Sequence, residues 1–386
     1  MNSLTTKPTL ASRRRGPIDW RHLIAAASLL VTTACDNGPL SENQDQNGTE
    51  AGVELYVANE GNWSDSNGSL SLIRPGSGEV LQNRFESVNG RPLAGIIQTI
   101  VPGSTEEGVP GRLFIILNNS DRIEVVDPET LESIESIPMD GEGGFTPSGF
   151  TDLDGEKGYV AGLYTNEVAV VDLESMEITG TRIAVGQNPQ AMAVSGTTLF
   201  VGNNGFGADR TVSVIDTDTD EVTGTTDVGA GPIQFLPLED GRLVVLSAGY
   251  KAYDEEWNRD PENDEEGRLD FLEGTDGSLI ATIETGGFPG AMVLDPAREI
   301  LYVMNSSEVQ QVDLGLMELL QSPFVSRTFR GGAWSSVDER LYLAQSRGYT
   351  QSGQVIAYDI EGAALDSFPA GIAPSDILLM FNENLN

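Results

Sequence analysis

The chain repeats a short alternation of apolar and polar residues that ends in an acidic turn. Its clearest copy is Thr211–Thr219 (TVSVIDTDT), in which Val212, Val214 and Ile215 precede an Asp-Thr turn. Such an alternation followed by a polar turn predicts a short, half-buried β-strand. Further copies lie at Glu124–Thr130, Ala169–Ser175, Gln310–Gly315 and Ile356–Gly362, with degenerate copies at Ser71–Ser77 and Asp270–Gly274.

The copies recur with a period of about 40–50 residues, which is the length expected for a propeller blade of several strands. We therefore predict an all-β fold over residues 53–386, a seven-bladed β-propeller. Gly/Pro steps mark the crossings between blades, because Pro presets a turn and Gly supplies unusual dihedral angles. Blades two to seven are predicted at 93–139, 145–185, 189–228, 232–285, 289–326 and 327–369.

The first blade is incomplete at the N-terminal side. Three strands are predicted there, at Leu55–Asn59, Gly68–Pro75 and Val80–Phe85, whereas the C-terminal segment Ile372–Phe381 is a strand without a blade of its own. We predict that this last strand completes blade one. Such pairing closes the ring and removes two exposed strand edges.

Composition limits the partners of the chain. The formal net charge is −37, and a surface of this sign repels nucleic acid and anionic lipid. The charge also keeps a protein soluble, particularly in a salty habitat, and that interpretation needs no ligand.

Two absences limit the chemistry. The only His is His22 and the only Cys is Cys35, so residues 36–386 contain no imidazole and no thiol. Ser-His-Asp and Cys-His catalysis are therefore excluded there, and zinc and haem lose their usual ligands. We predict no cofactor and no metal, although oxygen-ligand cations such as calcium remain compatible with the sequence.

The first 34 residues are predicted to be a lipoprotein signal peptide. Basic residues precede the apolar run Leu23–Ala34, which is too short to span a bilayer. Cys35 follows a small residue and is the predicted lipidation site; an ordinary secretory peptide is the alternative. Residues 35–52 are almost free of apolar side chains and predict a flexible tether. These features place the protein in the cell envelope, anchored to the outer membrane on its periplasmic or outer side.

The strand motifs resemble a known repeat. Tyr56–Asn59 (YVAN), Phe200–Asn203 (FVGN) and Tyr302–Asn305 (YVMN) are variants of the YVTN repeat, and Val214–Thr217 (VIDT) belongs to the same signature. The chain resembles YVTN-repeat seven-bladed propellers over residues 53–381. Its Asn59–Asn62 opening is similar to propeller lipoproteins of Bacteroidota-type bacteria. The resemblance implies a surface or periplasmic protein, and some relatives capture cobalamin beside a TonB-dependent outer-membrane transporter.

We define the loop face as the side of the propeller that carries the loops after each second strand and the crossings between blades. These loops are rich in Asn, Gly and aromatic residues, which together suit a polar organic ligand. Alternatively, Asn and Gly only form turns. The predicted ligand-binding residues are Asn59, Asn62, Trp63, Asn118, Tyr164, Asn203, Phe206, Tyr250, Trp257, Arg330 and Tyr349.

The longest loop, Tyr250–Arg268, carries eight acidic residues. Its Asp260, Glu262 and Asp264 alternate as calcium ligands do, but the loop lacks the pattern of an EF-hand, so a solvated acidic flap is favoured. Arg330 is one of few basic residues near a crossing and is suited to a carboxylate or phosphate; an ordinary salt bridge is the alternative.

These observations favour a membrane-anchored binding protein that is not an enzyme and is monomeric. Its partner would be a small polar ligand or a surface protein, with a transporter as a further partner. Two alternatives stay open. One is a hydrolase or lyase that uses paired carboxylates, which the abundance of acids prevents us from identifying. The other is a structural or adhesive surface protein.

Overall fold

The computed structural model describes residues 52–106, 109–139 and 145–382. Within these residues the chain forms seven four-stranded antiparallel sheets and one two-stranded hairpin. The sheets are the blades of a seven-bladed β-propeller, so the predicted fold is confirmed. The predicted signal peptide, Cys35 and the tether up to residue 51 lie outside the described residues.

Blade one combines the first three strands of the chain with the last one. Blade one contains β1 (Gly52–Asn59), β2 (Ser69–Arg74), β3 (Glu79–Leu81) and the last strand β30 (Pro374–Asn382), with α1 (Arg84–Asn89) after β3. Blade two contains β4 (Ile97–Pro102), β7 (Leu113–Leu117), β8 (Arg122–Val126) and β9 (Ser133–Pro138), and carries the hairpin β5 (Thr105–Glu106) and β6 (Val109–Pro110). Blade three contains β10 (Pro147–Asp152), β11 (Lys157–Gly162), β12 (Glu167–Asp172) and β13 (Glu177–Ala184).

The other four blades follow in chain order. Blade four contains β14 (Pro189–Ser195), β15 (Thr198–Asn203), β16 (Thr211–Asp216) and β17 (Glu221–Asp227); blade five contains β18 (Pro232–Pro237), β19 (Arg242–Ser247), β20 (Arg268–Glu273) and β21 (Leu279–Glu284). Blade six contains β22 (Ala291–Asp295), β23 (Ile300–Met304), β24 (Val309–Asp313) and β25 (Glu318–Leu319). Blade seven contains β26 (Gly331–Ser335), β27 (Arg340–Gln345), β28 (Ser352–Tyr358) and β29 (Ala364–Ile372). Short 3₁₀ turns lie at Asn118–Ser120, Gly205–Gly207 and Pro261–Asn263.

Burial explains why the strands differ in sequence. The second strand of blade two, Leu113–Leu117 (LFIIL), is buried at every position, because neighbouring blades cover both faces of it. The outermost strand, Ser133–Pro138, buries only Ile137, and its other residues are exposed or half-buried. In the described part of the chain the apolar side chains form seven clusters, one at each interface between adjacent blades.

The ring closes as the sequence predicts. β30 pairs antiparallel with β1 over eight residue pairs, from Gly52 with Asn382 to Asn59 with Pro374. It is the innermost strand of blade one, whose order is β3-β2-β1-β30. Ile377 is buried in the cluster between blades seven and one, while Leu378 packs on the cluster between blades one and two. The last strand therefore joins both neighbouring blades to the N-terminal strands.

One predicted strand ends early. Val80–Phe85 was expected to form the outermost strand of blade one, but β3 stops at Leu81 and Phe85 lies in helix α1. Asn83 adopts a left-handed conformation with φ of 49°, which breaks the strand. Phe85 is buried in helix α1, and the guanidinium carbon of Arg91 lies 5.0 Å from the centroid of the Phe85 ring. Burial of this aromatic ring thus overrides the local strand pattern.

The repeated acid closes the turn after each third strand. Asp127 Oδ1 accepts hydrogen bonds from the backbone N–H groups of Glu129 (3.0 Å) and Thr130 (2.8 Å). Asp216 does the same with Asp218 and Thr219. These backbone hydrogen bonds hold the pKa of Asp127 and Asp216 below the usual value. The acid is therefore the cap of this turn.

Candidate functional site

The repeated phrase of the YVTN-like strands ends in an asparagine that we call a latch, because its side chain holds the backbone of the crossing that enters the same blade. Asn203 is fully buried; its Oδ1 accepts the Gly186 N–H (3.0 Å), and its Nδ2 donates to Thr211 Oγ1 and Ser213 Oγ. Asn59 likewise accepts the Gly371 N–H (2.8 Å) and donates to Ser71 Oγ (2.9 Å). The prediction that these two residues contact a ligand is wrong, since their polar groups are buried and used internally.

A third predicted residue is also buried. Asn118 begins a 3₁₀ turn at the end of β7, and its Nδ2 donates to the Pro147 carbonyl at 3.1 Å in the next blade. Only 3% of its surface is exposed. It fixes the crossing between blades two and three, and we correct its predicted role in the same way.

A cleft on the loop face lies between blades seven and one, and we call it the seven–one cleft. It is a cavity of about 430 Å³ lined by Glu60–Ser64, Ile96 and Tyr349. Trp63 and Tyr349 keep 59% and 50% of their surfaces exposed. Asn62 Nδ2 donates to the Tyr349 carbonyl at 3.0 Å, which ties the two loops together. Asn62, Trp63 and Tyr349, all predicted binding residues, are thus brought into one site.

Arg330 does not line the cleft, but it contacts two residues that do, Glu60 and Tyr349. Its Nη2 is 2.7 Å from Glu60 Oε2, and its Nη1 donates to the Tyr349 hydroxyl at 3.1 Å. The guanidinium carbon lies 5.3 Å from the centroid of the Tyr349 ring, within cation–π range. Burial raises the pKa of Glu60, and the charge of Arg330 opposes that rise. The arrangement presents a Tyr ring of fixed position to solvent.

Two other predicted aromatics meet at the loop ends of blades three and four. The rings of Tyr164 and Phe206 are 6.2 Å apart at their centroids, and both are exposed. Phe206 has a φ of 53°, an uncommon conformation for a bulky residue. Tyr250 lies against Gly207 of the same turn. These residues form a second aromatic surface, separate in sequence from the seven–one cleft.

The acidic loop of blade five is an ordered extension. Residue pairs Tyr250–Glu265 and Tyr253–Arg259 form isolated antiparallel bridges, and Arg259 binds both carboxylate oxygens of Asp264, at 2.9 and 2.7 Å. Trp257 lies at its tip with 82% of its surface exposed. In the described residues no group of three or more His, Cys, Asp or Glu side chains is placed to hold a metal. Asp264 is instead an ion-pair partner within the loop.

The central channel opens on the loop face in a cavity of about 290 Å³. At or just before the start of each innermost strand, two consecutive lining residues lie at equivalent positions of the register. The first ring, from blade one to blade seven, is Ser375, Gln98, Ser148, Gln190, Ile233, Gly290 and Arg330. The second ring is Asp376, Thr99, Gly149, Ala191, Gln234, Ala291 and Gly331. We call these fourteen positions the channel mouth.

Sequence reasoning missed Glu60, Gln98 and Asp376 as site residues. For Asp376 a signal was present, because in five of the seven blades the channel-mouth pair directly follows a crossing that ends in Pro, as in Gly371–Asp376. The pairing of Glu60 with Arg330 had no comparable signal. It joins two blades that meet only when the ring closes.

Comparison with protein families gives one match. Residues 53–250 match the sequence profile of a family described as a domain of unknown function (DUF5074). The matched region covers blades one to four apart from the closing strand β30, and the first two strands of blade five; it is slightly more than half of the 386 residues. A comparison with curated proteins gives no match.

Solved structures share the fold at low identity. A quinonprotein alcohol dehydrogenase-like protein from Bacteroides thetaiotaomicron has a TM-score of 0.62 at 16% identity, covering 86% of this chain and 79% of its own. A protein of Bacteroides fragilis, named as a candidate 6-phosphogluconolactonase, has a TM-score of 0.63 at 12% identity, covering 87% and 100%. Apo AztD from Citrobacter koseri has a TM-score of 0.52 at 12% identity, covering 86% and 98%. At these identities the likeness concerns the fold alone.

The helical segments in the described ranges are all too short or too polar to cross a membrane.

The latch role of the repeat asparagine gives a stability prediction. Asn203→Ala leaves the Gly186 N–H and the buried Ser213 hydroxyl without their Asn203 partner, and should lower the free energy of unfolding by about 1–3 kcal/mol. Asn263→Ala is the control, because Asn263 is exposed and its side chain binds only Asp260 in the acidic loop. Chemical denaturation of both variants measures the difference. Equal stability of the two variants would contradict the latch.

Proposed function

Because the chain belongs to the family described as a domain of unknown function (DUF5074), its function has to be inferred from its own loop face. We propose that it is an envelope protein that captures a small polar ligand in the seven–one cleft. The observation that carries this proposal is the fixed position of Tyr349 between Arg330 and Asn62, beside an exposed Trp63.

The cleft has the properties of a binding site for an organic molecule. Its volume of about 430 Å³ lies within the usual range for small-molecule pockets. Trp63 and Tyr349 supply flat apolar surfaces of low conformational entropy, whereas Asn62 and backbone groups of the same loop supply polar contacts. Since Tyr349 already contacts both Arg330 and Asn62, little ordering is needed on binding, and that favours affinity.

We propose binding without turnover. The chain after Cys35 has no His and no Cys, and the acid at the cleft, Glu60, is paired with Arg330 at 2.7 Å. A pair of carboxylates flanking a substrate is what a hydrolase on this scaffold would require. The cleft lining has one carboxylate only, within the described residues.

The N-terminal sequence supports a place in the cell envelope. The leader of residues 1–34, Cys35 and the polar tether are the pattern of a lipoprotein held near a membrane surface. Some of the propeller lipoproteins that this chain resembles capture a corrinoid beside a TonB-dependent outer-membrane transporter. We propose the same kind of partnership here, with the loop face directed toward the transporter.

Replacement of the cleft aromatics tests ligand capture. A screen with cyanocobalamin and a library of polar nutrients should give a compound that raises the melting temperature, because it binds the folded state only. Trp63→Ala and Tyr349→Ala should each weaken binding of that compound roughly tenfold or more, as for an aromatic hot spot. Calorimetry of each variant measures the affinity.

The matched control for that test is Trp257→Ala. It removes an even more exposed tryptophan that does not line the cleft, so affinity should not change. Equal losses from Trp63→Ala and Trp257→Ala, or chemical conversion of the compound, would contradict the proposal.

The anchor gives a separate prediction. Cys35→Ser removes the only thiol of the chain, so the protein should pass from the membrane fraction to the soluble fraction and lose the mass of the lipid. A thioether-linked lipid requires the sulfur, whereas an ordinary secretory peptide does not. Mass spectrometry and fractionation of both forms measure this, and unchanged membrane retention of the Ser variant would refute lipidation.

A further inference from the structure

We propose that the channel mouth binds a protonated amine, so that the ligand captured on the loop face carries a cationic group. This inference rests on the proposed function, because Arg330 lines the channel mouth and also contacts Glu60 and Tyr349 of the seven–one cleft. The inference specifies the chemical class of the ligand, and it adds the channel-mouth residues to the contacts that the seven–one cleft provides.

The charge balance of the two cavities is the first reason. Among the described residues, their charged lining side chains are Glu60, Arg330 and Asp376. Glu60 and Arg330 neutralise each other at 2.7 Å. Asp376 forms no ion pair in the part of the chain that the structure describes. One carboxylate therefore stays without a counter-charge, and a bound cation would supply it.

Asp376 is also held in a fixed position. Its Oδ2 accepts hydrogen bonds from Thr99 Oγ1 at 2.8 Å and from the Ile100 N–H at 3.3 Å, both on the neighbouring innermost strand β4. Burial nevertheless raises the pKa of Asp376 above its usual value, although these hydrogen bonds oppose the rise. The Asp376 carboxylate is thus held in position, but the hydrogen bonds from its neighbours do not fully offset the cost of burying its charge.

Gln98 provides a second acceptor on the same side of the channel. It precedes Thr99 on β4 and lines the first ring of the channel mouth. Its Oε1 atom is buried and has no hydrogen-bond partner among the described residues. A buried acceptor without a partner is costly, whereas an ammonium group offers three donors and could serve both Gln98 and Asp376.

The opposite side of the channel leaves room for the carbon body of such a ligand. Blade six places small residues there: Gly290 and Ala291. A Cβ atom added to Gly290 would meet no atom within 4 Å, whereas one added to Gly149 would lie 2.1 Å from the Gln190 carbonyl oxygen. Space therefore lies beside blade six, and the blade three–four side is closed. The net charge of −37 further favours a cation over an anion.

Three probes of equal chain length test the inference: n-butylammonium, n-butyrate and 1-butanol. Saturation-transfer NMR and melting temperature report binding to the full-length protein. Butylammonium should bind and raise the melting temperature, whereas butyrate should not. Asp376→Asn keeps the acceptor for Thr99 but removes the charge, and should weaken butylammonium binding roughly tenfold or more. Asp227→Asn, which neutralises an exposed acid on the outermost strand of blade four, should leave it unchanged.

A second variant keeps the test valid if Asp376→Asn folds poorly. Gly290→Leu places a side chain in open space, and its φ is outside the left-handed region, so the fold should be retained. It should abolish butylammonium binding by filling the cavity while Asp376 stays intact. Butyrate binding as tightly as butylammonium, or unchanged butylammonium binding in either variant, would overturn the inference.

The same experiments separate this inference from the proposed function. If a loop-face ligand binds and depends on Trp63, yet butylammonium does not bind, the amine site is refuted and the capture function stands. If butylammonium binding depends on Asp376 and no ligand depends on Trp63 or Tyr349, the seven–one cleft is refuted and the amine site stands.

Discussion

Two-sided burial of the middle strands is the constraint on which the rest of this structure depends. Each blade covers both neighbours, and the seven interblade clusters of the described chain need every blade to have two partners. An open row of blades would leave two apolar faces in water. The pairing of β30 with β1 prevents this, because it builds the innermost strand of blade one from the C-terminal end.

Ring closure also creates the site. Glu60 follows β1 in blade one, whereas Arg330 and Tyr349 belong to blade seven, so their contacts exist only once the first and last blades meet. Asp376 reaches the channel mouth on the closing strand itself. The interaction that stabilises the fold is therefore the one that brings the proposed binding residues together. A ligand held by both blades would in turn stabilise the closed ring.

The repeated strand pattern made the fold predictable from the sequence, but it predicted the site less well. The strand period, the acidic turns and the Gly/Pro crossings are local in sequence, and they correctly predict seven blades and the closing strand. The same repetition misled the site prediction, because Asn59 and Asn203 recur for a structural reason and are latches. Asn62, Trp63 and Tyr349 were correctly placed on the loop face. Their grouping around Arg330 depends on contacts between distant segments, which no local pattern encodes.

Hydrogen exchange of the closing strand tests the central claim most directly. If β30 is an integral innermost strand, those backbone amides of residues 377–381 that donate to β1 should exchange only through global unfolding, as slowly as the amides of β1. Peptide-level mass spectrometry over a denaturant series would show this as one common opening free energy for both strands. Fast exchange of residues 377–381, with the other blades still protected, would show that the ring does not depend on this pairing and would contradict the account.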